Sequence, residues 1–111
     1  MKRFGLNMSF VKVASLSQLP ADSIAEVTVG GDTYALCNVA GRVTAIGGTC
    51  LHRGGPLGQG ALHGNRVVCP WHAWEWDCQT GANDYDPSQK VPTFTVQVEG
   101  DDILLEVPER A

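Results

Sequence analysis

Most of this chain reads as short strand-like runs of apolar and polar positions between turn signals, and helical periodicity is weak everywhere. Residues 10–14 alternate like an edge strand, and residues 15–23, with Pro20 inside, read as a connection. Residues 24–29 and 33–39 flank Gly30-Gly31-Asp32, where glycine supplies the positive φ of a tight hairpin. Ala40-Gly41-Arg42 then turns into residues 43–46. The spacing therefore predicts an antiparallel meander of three strands. Residues 93–99, a turn at Gly100-Asp101 and residues 103–107 predict a further hairpin.

Between these β-rich ends lie residues 47–81, which interrupt the strand pattern. Seven glycines fall between Gly47 and Gly64, and all three tryptophans and all three histidines fall within the segment. The expected fold class is all-β: antiparallel sheets in a sandwich-like arrangement, as one domain over residues 1–111. Residues 47–81 are expected to form a subdomain carrying the chemistry, and residues 1–7, which lack alternation, a flexible N-terminal extension.

Composition narrows the partners. Of 111 residues 43% are hydrophobic and 18% charged, which suits one folded domain. Twelve acidic residues against eight basic ones give a formal charge of −4, and no basic run offers a track for phosphates, so nucleic acid is not an expected partner. No apolar run reaches the eighteen or so residues of a membrane span, and Met1-Lys2-Arg3 is not followed by a signal-peptide core. The expectation is a cytoplasmic protein with no membrane partner. In that setting the four cysteines are metal ligands or buried fillers rather than a disulfide framework.

The chemistry concentrates in Cys50-Leu51-His52 and, after sixteen intervening residues, in Cys69-Pro70-Trp71-His72. Each loop supplies one thiol and one imidazole. Flanking hairpins that hold two such loops side by side would place two sulfurs at one depth and two ring nitrogens nearer the tips, an arrangement that fits a two-iron cluster with different ligands on each iron. Structural zinc also accepts two cysteines and two histidines, but it usually pairs like with like at longer spacings than the single residue found here.

The pattern C-x-H followed by C-P-W-H resembles the Rieske family, and the chain is similar to the small soluble Rieske ferredoxins over nearly its full length. The resemblance implies the Rieske iron–sulfur fold, with Cys50 and Cys69 binding one iron of a single [2Fe–2S] cluster and His52 and His72 the other. Arg53, Gly55, Pro56, Trp71 and Trp74 would stand around it. Residues 54–57 resemble the family's third loop beside the cluster, and residues 76–81 its aromatic-Asp-x-x-Thr-Gly turn. Two neutral imidazoles in place of two thiolates leave the oxidised site neutral and the reduced one singly negative, which raises the potential above that of all-cysteine ferredoxins.

This sequence also departs from the respiratory-chain members of the family. Those carry a disulfide between the positions of Gly55 and Trp71, and a serine and a tyrosine that hydrogen-bond the cluster sulfurs where Trp74 and Trp76 stand here. The resemblance therefore implies a potential near the lower end of the Rieske range, about −150 mV. It further implies a one-electron carrier between a flavin-dependent reductase and the terminal oxygenase of a ring-hydroxylating dioxygenase system. The chain would not be catalytic alone, because after ligation only His63 remains for a mononuclear iron site, and no G-x-G-x-x-G turn offers a nicotinamide or flavin site. The rival readings are the small subunit of an assimilatory nitrite reductase and a zinc-stabilised interaction module without redox activity. Cys37, expected mid-strand, and Cys78, expected in a turn, read as small buried fillers; a disulfide between them has no support in the sequence beyond the even cysteine count.

Overall fold

The computed structural model describes residues 8–51, 54–71 and 73–108. The expected extension at residues 1–7 lies outside them. Among the described residues ten strands form three antiparallel sheets: β1 (Met8–Ser15), β2 (Ser23–Val29), β3 (Asp32–Val39), β4 (Arg42–Gly47), β5 (Ala61–His63), β6 (Arg66–Val68), β7 (Glu75–Asp77), β8 (Thr93–Phe94), β9 (Val96–Glu99) and β10 (Asp102–Pro108). The sheet orders are β1-β10-β9, β2-β3-β4-β8 and β5-β6-β7. Among the described residues no helix is long and apolar enough to cross a membrane.

The meander forms as the pattern predicts. Val29 pairs with Asp32 and Val39 with Arg42, so each hairpin turns on two residues. Both turns hold two consecutive residues at positive φ, Gly30 (58°) with Gly31 (87°) and Ala40 (54°) with Gly41 (91°), a twist that matches the flanking strands. β1 is an edge strand, and a register shift between Lys12 and Ala14 together with the exposed lysine blunts that edge.

The run expected as one strand over residues 93–99 divides instead at Thr95. β8 pairs with β4, whereas β9 pairs with β10, so a single extended stretch serves two sheets. The Thr95 carbonyl at the crossing still accepts the Glu106 N–H at 2.9 Å. Residues 47–81 likewise are not strand-free. They contain the three short strands of the third sheet, β5 to β7.

β3 explains how the layers stack. Residues 34–38 are all buried, so this strand faces apolar surroundings on both sides. Tyr34 and Leu36 join Leu19, Ala45, Ile103, Leu105 and Val107 in the core between the two large sheets. Ala35 and Cys37, pointing the other way by the pleat, join Ile46, Cys50, Leu57, Val67, Cys69, Trp76, Cys78 and Val91. The second core thus seats the loops of residues 50–57 and 69–74 on the meander's far face.

Candidate metal centre

Both loops are closed by backbone hydrogen bonds before any side chain is considered. After β4, the Cys50 N–H donates to the Gly55 carbonyl at 2.8 Å and the Gly54 N–H donates to the Cys50 carbonyl at 2.8 Å, while Thr49 and Pro56 form a bridge across the base. Gly54 makes this reversal at φ 76°. After β6, the Cys69 N–H donates to the Trp74 carbonyl at 2.8 Å, with Ala73 at φ 59° completing the turn into β7. Each cysteine therefore sits at a loop base fixed by main-chain geometry.

These bases bring the two sulfurs together. Cys50 and Cys69 are 1% and 2% exposed, and their thiols interact within one core cluster. Burial pushes the Cys69 thiol up, contact with Cys50 adds to this, and the Trp71 N–H, which donates to the Cys69 sulfur at 3.4 Å, pulls the other way. Two thiols packed in an apolar core resist ionisation unless a cation displaces their protons.

Gly55 shows what the site makes room for. An ideal Cβ at this position would stand 2.6 Å from the Cys69 sulfur and 3.2 Å from the Trp71 ring. The Trp71 ring thus lies against residue 55, the two positions at which the resemblance places a disulfide in other members of the family. Leu51 and Trp71, one on each loop, are 54% and 49% exposed. Pro56 is half-buried at the first loop's base.

His52, Arg53 and His72 lie outside the described residues. The structure therefore assembles the thiol half of the expected donor set, with Gly55, Pro56, Trp71 and Trp74 around it. Trp76, fully buried in the core that holds Cys50 and Cys69, has an indole N–H with no hydrogen-bond partner among the described residues. A buried donor without an acceptor, two apposed thiols and a glycine whose side chain would meet a sulfur all fit a thiolate-bound cluster.

The sequence reading missed how the loop at residues 83–87 folds back. Asn83 is buried, and its side-chain oxygen accepts the N–H groups of Tyr85 and Asp86 at 3.0 and 2.8 Å. This turn lays Tyr85 edge-on against Trp74, with ring centroids 6.0 Å apart, and Trp74 in turn lies 6.2 Å from Trp76. The run Asn83-Asp84-Tyr85-Asp86-Pro87 signals a loop, but not its return onto Trp74. The turn at residues 76–81 now has a cause. The Asp77 carboxylate accepts the N–H groups of Gln79 and Thr80, both at 2.8 Å, and Gly81 has φ 74° with no space for a Cβ beside the Val91 carbonyl.

His63, at the exposed end of β5, is not isolated. The Glu75 carboxylate on β7 takes His63 Nδ1 at 3.3 Å and Arg66 Nε at 2.9 Å, tying the third sheet across its outer face. Burial raises the Glu75 carboxyl, but the hydrogen bonds from His63 and Arg66 outweigh it and leave the group below its ordinary value. Its stabilising effect is then complete above the unfolded carboxyl pKa, about 4.3, and is lost as pH falls through the lower folded value. Glu75→Gln should cost no more than about 1 kcal/mol at neutral pH and should flatten the stability loss below about pH 4. Thermal melts from pH 3 to 7 check this, and identical acid limbs in both proteins would remove Glu75 as a contributor.

Comparison with known proteins agrees with this geometry. The ferredoxin component of the naphthalene 1,2-dioxygenase system of Pseudomonas aeruginosa is 28% identical over 99 residues, 88% of this chain and 95% of that one. The ferredoxin component of biphenyl 2,3-dioxygenase from Rhodococcus jostii (strain RHA1) is 30% identical over 101 residues, 90% of this chain and 94% of that one. The solved ferredoxin of carbazole 1,9a-dioxygenase from Nocardioides aromaticivorans IC177 superposes with a TM-score of 0.81 at 30% identity, covering 91% of this chain and 99% of that one. Residues 9–99, which take in both loops, match the Rieske [2Fe-2S] domain, and the chain belongs to that family.

Proposed function

We propose that this chain is a one-electron carrier that takes electrons from a flavin-dependent reductase and delivers them to the terminal oxygenase of a ring-hydroxylating dioxygenase system. The observation that carries the reading is the pair of apposed, buried cysteines at the bases of two loops, in a chain that matches dioxygenase ferredoxin components over nearly all of its length and theirs. Cys50 and Cys69 would hold one iron and His52 and His72 the other, and a cluster so bound gains and loses a single electron.

The chain's own groups do the rest. The Trp71 N–H donates to the Cys69 sulfur and steadies negative charge there, Gly55 leaves that sulfur room, and the core of Leu57, Val67 and Trp76 keeps water away from the thiol side. Exposed Leu51 and Trp71 give the loops an apolar rim against which a partner protein can exclude water. The chain performs no substrate chemistry by itself in this reading. The nitrite reductase alternative is less well supported, because the relatives described above are all dioxygenase ferredoxins.

Metal and acid-labile sulfide analysis with electron paramagnetic resonance of the dithionite-reduced protein tests the reading. Two irons and two sulfides per chain, with a spectrum showing coupling to two imidazole nitrogens, are expected. Zinc without labile sulfide would overturn the carrier in favour of an interaction module. His52→Cys or His72→Cys should lower the potential in voltammetry if a cluster assembles, since a thiolate adds negative charge beside the iron. Unchanged cluster content and potential in both variants would remove these histidines from the site.

A further inference from the structure

Cys37 and Cys78 take no part in the centre described above, yet the fold sets them against each other. Cys37 lies mid-strand on β3 and Cys78 immediately after β7, 0% and 1% exposed, in one core cluster where their thiols interact. Thr44, opposite Cys37 on β4, holds a buried hydroxyl that has no partner of good geometry and lies within reach of the Cys37 thiol. Beyond them is a cavity of about 150 Å³ lined by Val39, Arg42, Thr44, Asn65, Cys78 and Gln79. Cys78 is thus the member of the pair that meets space large enough for a small oxidant.

We propose that Cys37 and Cys78 form a redox-active dithiol, which hydrogen peroxide entering this cavity converts to a disulfide joining β3 to the end of β7. The hydrogen bond from Cys37 lowers the Cys78 pKa, while giving that bond, together with burial, raises the Cys37 pKa. Of the two thiols Cys78 is therefore the more readily ionised and the better nucleophile, and it faces the cavity that Arg42 also lines.

The Cys78 thiolate attacks one peroxide oxygen, the O–O bond breaks, and Cys78 becomes a sulfenic acid while the other oxygen leaves as hydroxide and takes up a proton to become water. The Cys37 sulfur then displaces hydroxide from the Cys78 sulfur, and the proton of Cys37 leaves with it as the second water. Two thiols and one peroxide give one disulfide and two waters. Two electrons pass from sulfur to oxygen.

The bond would close a loop over residues 38–77, which contains Cys50, His52, Cys69 and His72. It would clamp the third sheet onto the meander, stabilise the fold by restricting the unfolded chain, and slow the opening through which iron is lost.

The test treats the cluster-loaded protein with stoichiometric peroxide, alkylates free thiols in denaturant, and maps linked peptides by mass spectrometry without reduction. The expected result is a Cys37–Cys78 linked peptide, reversal by a dithiol, a thermal midpoint higher by at least several degrees, and several-fold slower iron loss to a chelator. Cys78→Ser should abolish all of these, as should Cys37→Ser. Should Cys37→Ser not fold, the linkage map of the unaltered protein with Cys78→Ser decides. The proposal fails if Cys37 and Cys78 are both still alkylated at doses that bleach the cluster, or if the linked pair is Cys50–Cys69.

Discussion

Gly55→Val should give a folded chain that holds several-fold less iron and acid-labile sulfide than the unaltered protein. Residue 55 touches both loops. Its carbonyl accepts the Cys50 N–H at 2.8 Å, and its missing side chain leaves space in which the Cys69 sulfur stands 2.6 Å from where a Cβ would be. A branched side chain must drive that sulfur or the Trp71 ring aside. The ring has room to move, because Trp71 is half-exposed, but the sulfur is packed in the core against Cys50. A metal site tolerates displacements of about 0.5 Å, less than this overlap demands. Because residue 55 belongs to a loop rather than a sheet, far-ultraviolet circular dichroism should be unchanged. Full metal content in Gly55→Val would show that the Cys69 sulfur does not need this space.

Trp76→Ala should be among the most destabilising single substitutions in the chain, by about 3–5 kcal/mol, against a total of about 5–15 kcal/mol for a typical domain. Trp76 is the largest fully buried side chain, paired across the strands with Val67 and tilted against Trp74. It belongs to the core that joins the third sheet and both cysteine loops to the far face of β3. A three-residue strand has few ladder hydrogen bonds of its own, so its place in the fold depends on this ring. Denaturant titration reads the loss, and Trp76→Phe should recover most of it. A cost below about 1 kcal/mol would mean that the loops are held by their backbone hydrogen bonds without the core beneath them.

Local pattern determined a good part of this protein. The meander of β2, β3 and β4 and the β9–β10 hairpin were legible because period-two alternation and positive-φ turn residues are properties of neighbours in sequence. The thiol positions were legible because C-x-H and C-P-W-H are short and specific, and the structure places both sulfurs in one core.

Tertiary structure decided the rest, for reasons of distance along the chain. Alternation runs unbroken through Thr95, so nothing local shows that β8 pairs with β4 and β9 with β10; that follows from where two other strands lie. β5, β6 and β7 are three residues each, too short to build a periodic signal among so many glycines. The return of Tyr85 onto Trp74 and the space beside Gly55 are contacts between loops, set only once the third sheet docks. Cys37 and Cys78 read as buried fillers that only the even cysteine count could pair, because one lies in a strand and the other after a different sheet. The stacking of those sheets, driven by burial on both faces of β3, brought the two thiols into contact.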